Sequence, residues 1–120
     1  MTKQRKDEHG TEFSIWVRKQ PEIDSKLGYV ATDLDYVWHN YKTGEWMLIE
    51  EKRHDSSPTY SQRCILKLLH NACKHAPKYR GLHLIVFENT SPDDGRIYLD
   101  KKEITREQLL QFLMFFEIEE

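Results

Sequence analysis

The segment from Asp35 to Lys52, DYVWHNYKTGEWMLIEEK, constrains the fold more than any other part of the chain. Tyr36, Val37 and Trp38 are strand formers, and so are Trp46, Met47, Leu48 and Ile49 as a group. Between the two sets lies Asn40-Tyr41-Lys42-Thr43-Gly44, polar and closed by a glycine, which suits a short hairpin loop. A turn centred between Lys42 and Thr43 sets Asp35 opposite Glu50 and Asp33 opposite Lys52. Side chains alternate faces along a strand. Asp33, Asp35, Val37 and His39 therefore share a face with Leu48, Glu50 and Lys52, and Glu51 points the other way. Cross-strand partners have Cβ atoms about 5 Å apart. A slip of one residue would carry Glu50 to the opposite face.

Two carboxylates at that separation repel, and each resists ionising. A hard cation such as Mg²⁺ removes the penalty, because it prefers oxygen ligands and keeps several waters. Such an ion can acidify a water and stabilise charge on a phosphate. Lys52 supplies a point charge suited to a phosphate oxygen or a developing hydroxide. The plain alternative is a sheet edge that runs into solvent through Glu50-Glu51-Lys52-Arg53. Against it, Glu50 directly follows the apolar pair Leu48-Ile49, where surface charge is less expected.

The run resembles the PD-(D/E)XK nuclease superfamily, which includes restriction endonucleases, Holliday-junction resolvases and phage exonucleases. The resemblance implies an α/β fold with a restriction-endonuclease-like core of helix, three antiparallel strands, helix and a further strand (αβββαβ). That core is a mixed sheet flanked by helices, here followed by a C-terminal strand and helix outside it. Asp35 and Glu50 then resemble the metal ligands and Lys52 the catalytic lysine. Glu12 matches a glutamate that the first helix often adds. Gln62, with Tyr60 second, matches the polar residue on the helix after the Glu-x-Lys strand. Leu34 rather than proline precedes Asp35, and Asp33 competes for its role. The implied activity is Mg²⁺- or Mn²⁺-dependent, in-line hydrolysis of nucleic acid, DNA favoured, leaving a 5′-phosphate. There is no room for a separate sequence-reading domain. That favours structure-selective cutting, end processing, or a homodimer that recruits its partner for recognition, and the size resembles phage-borne nucleases. The other class is a nucleic-acid- or protein-binding module that keeps the fold without catalysis.

With 120 residues the chain suits one domain. The expectation is a single unit over 10–120 behind a polar tail at 1–9. Hydrophobic residues at 38% and charged ones at 32% fit a soluble globular chain. No apolar run nears the roughly 18 residues of a membrane span. The N-terminal stretch lacks an apolar signal core. Cys64 and Cys73 fall out of phase on one expected helix, so no disulfide is expected and a reducing, cytoplasmic setting follows. Net charge is −2, so attraction to phosphate has to be local or supplied by the metal.

Elsewhere, a first helix is expected from Thr11 to about Gln20, with Phe13, Trp16 and Val17 at core spacing and Pro21 ending it. Leu27 to Thr32 reads as a loop plus a first strand. Ser57 caps and Pro58 opens a central helix reaching about His75, with a buried stripe of Ser61, Ile65, Leu68, Leu69, Ala72 and Ala76. Opposite that stripe lie Arg63, Lys67, Asn71, Lys74 and Lys78. They are either phosphate contacts or a solvated helix face. Arg53 is a further phosphate candidate, or merely leads the chain out of its strand. His70, Cys73 and His75 invite zinc, but no fourth ligand has suitable spacing. The apolar run Leu82 to Phe87 suggests an internal strand covered on both faces. Arg96 to Leu99 reads as a short edge strand. Thr105-Arg-Glu-Gln108 is a capping box for a last helix whose Leu109, Leu110, Phe112, Leu113 and Phe116 suit packing on the sheet or a partner interface.

Overall fold

A computed structural model of the chain describes residues 11–117, so the expected tail over 1–9 lies outside them. They divide into two compact units, the first ending at Ala31 and the second beginning at Thr32.

In the first unit, Thr11 caps helix α1 (Glu12–Arg18) by accepting the Ser14 amide. Two single-turn 3₁₀ segments follow, Pro21–Ile23 and Ser25–Leu27. The expected core contacts of this helix are not found. None of its residues is buried, and Phe13 and Trp16 stack on each other with ring centroids 6.2 Å apart. Nor do residues 27–32 form a strand. Gly28, at φ 104°, closes the second 3₁₀ turn instead. The β-tendency of Tyr29 and Val30 has no ladder to join, and such tendencies act through pairing and packing.

The second unit is an α/β arrangement around a five-stranded mixed open sheet in the order β1-β2-β3-β4-β5. Strand β1 (Tyr36–His39) pairs antiparallel with β2 (Trp46–Lys52) in the register expected from the turn, Tyr36 opposite Ile49 and Val37 opposite Leu48. Helix α2 (Tyr60–Cys73) then carries the chain to β3 (Tyr79–Phe87), which lies parallel to β2. Strands β4 (Ile97–Leu99) and β5 (Lys102–Ile104) add antiparallel beyond β3, and helix α3 (Arg106–Leu113) follows. The αβββαβ expectation thus needs correction. Two strands rather than three precede α2 among the described residues. Strand β4 is not an edge either, because β5 covers it. Its two-residue connection, Asp100-Lys101, has φ of 51° and 76°, the primed-turn geometry that matches strand twist.

The two faces of the sheet have different tasks. Met47, Ile49, Ile85, Phe87, Ile97, Leu99 and Ile104 form one buried core with Leu109 and Phe112 of α3. The Thr105–Gln108 capping box fixes where α3 starts, as expected. On the other face Leu48 and Glu50 are buried beneath α2, whose single buried residue is Leu66. The stripe expected on this helix is therefore rotated. Leu68 is 72% exposed, Ser61 and Ala72 are exposed, and Leu66 and Gln62 turn inward. Thr59, not Ser57, is the N-cap, and Gln62 must fold back toward it.

The β2–β3 register shifts between Trp46 and Leu48, with an extra residue on β3 where Gly81 takes φ 102°. The bulge leaves the Arg80 carbonyl to accept from His83 Nε2 at 2.7 Å. His83 Nδ1 lies 2.7 Å from Asp100 Oδ2, and Asp100 Oδ1 accepts the Leu84 amide. Both ring contacts are to acceptors, so only the doubly protonated imidazole can donate to both. Burial pushes this group down, but the Asp100 carboxylate and the Arg80 carbonyl outweigh it and raise its pKa above the ordinary 6.5. The stability it adds is present in full below about 6.5 and is lost as pH rises through the higher folded value.

Two outcomes are expected. Leu66→Ala should cost about 2–5 kcal/mol, and Leu68→Ala no more than about 0.5 kcal/mol, in chemical denaturation; equal losses would restore the stripe expected from spacing. Asp100→Asn keeps a residue tolerant of left-handed backbone. It should lower stability near pH 6 by up to about 1 kcal/mol and flatten the decline of the melting temperature above it.

Candidate functional site

Glu50 sits on β2, a strand paired on both sides, directly after three buried apolar residues. Leu48-Ile49 fills the sheet interior, so the next side chain on the α2 face is drawn under cover with it. Glu50 is 4% exposed. Its Oε2 lies 3.3 Å from Lys52 Nζ, and its buried Oε1 has no hydrogen-bond partner among the described residues. Burial, then the nearby Asp35 carboxylate, push its pKa up, and Lys52 only partly offsets them.

Lys52, two residues on, shares this face and is half-buried. It also donates to Gln62 Oε1 at 3.3 Å. That oxygen accepts the Thr59 amide at 3.0 Å as well, and Thr59 Oγ1 in turn accepts the Gln62 amide at 3.1 Å. The box that starts α2 thereby holds Gln62 against Lys52. A Thr-x-x-Gln signature was present in the sequence, but Ser57-Pro58 masked it.

Asp35 precedes β1 and is exposed. Its Oδ2 accepts the Glu51 amide at 2.8 Å, continuing the ladder one step past the strand. Asp33 is further back, in the segment leading to β1. The structure thus brings Glu50, Lys52 and Gln62 into contact, with Asp35 close enough to raise the Glu50 pKa.

Other candidates fall elsewhere. Glu12 lies in the first turn of α1, in the first unit. Arg53 pairs with Glu51 at 2.9 Å, and Glu51 also accepts from the Tyr36 hydroxyl. Tyr60 is 75% exposed and interacts with Cys64. Arg63 donates to the Pro58 carbonyl, and Lys67 and Lys74 are exposed on α2. Cys64 and Cys73 are free thiols, and His70 Nδ1 contacts the Tyr79 hydroxyl at 2.8 Å. Among the described residues there is no group of three or more His, Cys, Asp or Glu side chains placed to hold a metal ion.

The chain leaves this site through His54 and Asp55, both at φ 57°. Their amides donate to the carbonyls of Asn89 and Phe87, hooking the connection onto the end of β3. Among the described residues no helix is long and apolar enough to cross a membrane. Compared with protein-family models, curated proteins and solved structures, the chain matches none.

The chemistry of the buried acid is open to test. A carboxyl whose folded pKa lies above its unfolded one lowers stability as pH rises through the interval between them. Glu50→Gln removes that ionisation. In the absence of divalent ions it is expected to melt no lower than the parent at neutral pH, and to lose one component of the decline above about pH 4. A large destabilisation in thermal melts would mean that the ionised acid supports the fold.

Proposed function

We propose that this protein is a divalent-metal-dependent nuclease of the PD-(D/E)XK kind, hydrolysing phosphodiester bonds of nucleic acid, DNA favoured, inside the cell. One observation carries the reading. A nearly inaccessible acid, Glu50, holds an oxygen without a partner beside a second carboxylate, Asp35, and a lysine. A buried polar atom left unpaired is costly and calls for a reason. On this reading β1, β2, α2 and β3 are the strand, strand, helix and strand of a restriction-endonuclease-like core.

The residues present fit a hard cation. The available donors are carboxylate oxygens, and two of them suffice for Mg²⁺ or Mn²⁺, which retain waters in their remaining positions. Asp35 and Glu50 would hold the ion. When bound, the ion supplies an acidified water and charge for the phosphate. Lys52 would orient the attacking water or take its proton, with Gln62 keeping the ammonium aimed. A carboxyl has to be ionised to hold a cation, so metal affinity should weaken as pH falls.

Cleavage is expected only with Mg²⁺ or Mn²⁺. Glu50→Ala or Lys52→Ala should reduce it by about 10²-fold or more without unfolding the protein. Asp35→Asn should cost more than Asp33→Asn. Mg²⁺ at about ten times its Kd should stabilise the parent by about 1.4 kcal/mol and leave Glu50→Gln unaffected. No cutting of linear, branched or single-stranded substrates, with no metal-induced shift in melting, would leave the binding-module reading in its place.

A further inference from the structure

The chain carries its charge unevenly. From Ser56 to Phe87 there is no aspartate or glutamate, while Arg63, Lys67, Lys74, Lys78 and Arg80 are all present. The rest of the chain holds all 20 acidic side chains, and the total is −2. This acid-free stretch is α2 and β3, the helix and strand that follow the Glu50 strand.

Three of the five cations bond within the fold, Arg63 through its donation to the Pro58 carbonyl. Lys78 donates to the Thr43 carbonyl and Arg80 pairs with Glu45. Arg63, Lys67 and Lys74 pair with no carboxylate among the described residues. Arg53, Arg80 and Arg106 are each held by an acid. At 3.6 residues per turn, Arg63, Lys67 and Lys74 fall within about 40° of one another on the outer flank of α2. The line they make is about 17 Å long, and Asn71 lies beside it. Gln62, next to Arg63, touches Lys52, so the line begins at the candidate centre and runs away from it.

We infer that this flank is a track for the phosphate backbone of nucleic acid, leading to the Glu50–Lys52 end of the sheet. A line of that length spans up to about five phosphates of one strand at ~3.4 Å of axis each. The pattern disfavours a membrane surface. A helix lying on lipid needs an apolar face to bury. Here the inward stripe packs on the sheet, and the exposed Leu68 stands on the opposite flank from the cations. The track depends on the nuclease reading only for what lies at its end.

The test measures binding rather than cutting. Anisotropy of a labelled mixed-sequence duplex and of its single strand is followed in EDTA across a salt series. Lys67→Gln/Lys74→Gln, both at exposed positions, should melt like the parent. The double variant should bind about tenfold or more weakly at low salt, with a log–log salt slope smaller by about 2. Lys101→Gln, in the β4–β5 turn, should match the parent. Unchanged affinity and slope in the double variant would overturn the track. So would a parent that binds phosphatidylserine vesicles but neither nucleic acid. A parent that binds with the expected salt dependence yet never cuts would support the track and remove the nuclease reading. Cutting that survives in the double variant with undiminished affinity would do the opposite.

Discussion

A carboxylate buried near the end of an inner strand is costly, and the candidate site is built around it. Glu50 reaches that position because β2 is paired on both sides and covered on both faces. A charge taken from water needs partners. Lys52 supplies one, and Asp35 works against it. The result is an acid that holds its proton more tightly than usual and keeps one oxygen unsatisfied. A fold selected for stability alone would place a leucine there.

The second constraint is a single oxygen shared between two tasks. Gln62 Oε1 satisfies the exposed first turn of α2 and also aims Lys52. Helix starts require such caps for local reasons. Here the local requirement also sets the direction of the ammonium. The opposite face carries the His83–Asp100 pair, with the His83 ring against Phe112 of α3. Its nine-residue apolar cluster with α3 supplies cohesion, so the two sides of one sheet divide stability from chemistry.

Much of this was readable from residue order, and the exceptions have physical causes. The hairpin register followed from the polar loop between two strand-forming runs, and the structure repeats it from Tyr36–Ile49 to His39–Trp46, with Asp35 and Asp33 lying before the ladder begins. The placement of Glu50 after Leu48-Ile49 already argued for burial. The Thr105 box gave the start of α3. Two patterns compete at the start of α2, since Ser57-Pro58 also suits a helix opening and the cap, Thr59, lies just beyond it. The buried side of α2 centres on Leu66 rather than Leu68, which spacing alone does not distinguish. Strand β5 went unseen because Asp100-Lys101 lacks the glycine that marks most primed turns, although Asp100 is secured by its bonds to Leu84 and His83. The strand expected at residues 27–32 had local tendency without a partner, which no single stretch of sequence can reveal.

The hook at His54-Asp55 bears on how such a chain can change its length. Two ordinary residues in left-handed backbone cost about 1 kcal/mol or more each, and both amides are tied to the end of β3. An inserted residue here would break these bonds and loosen the spacing that sets Gln62 against Lys52. The hairpin tip at Asn40–Gly44, bonded to Lys78 through the Thr43 carbonyl, lies at the other end of β2 from Glu50 and Lys52. Related chains that grow longer should therefore do so at the tip, and keep the span between β2 and α2 at fixed length.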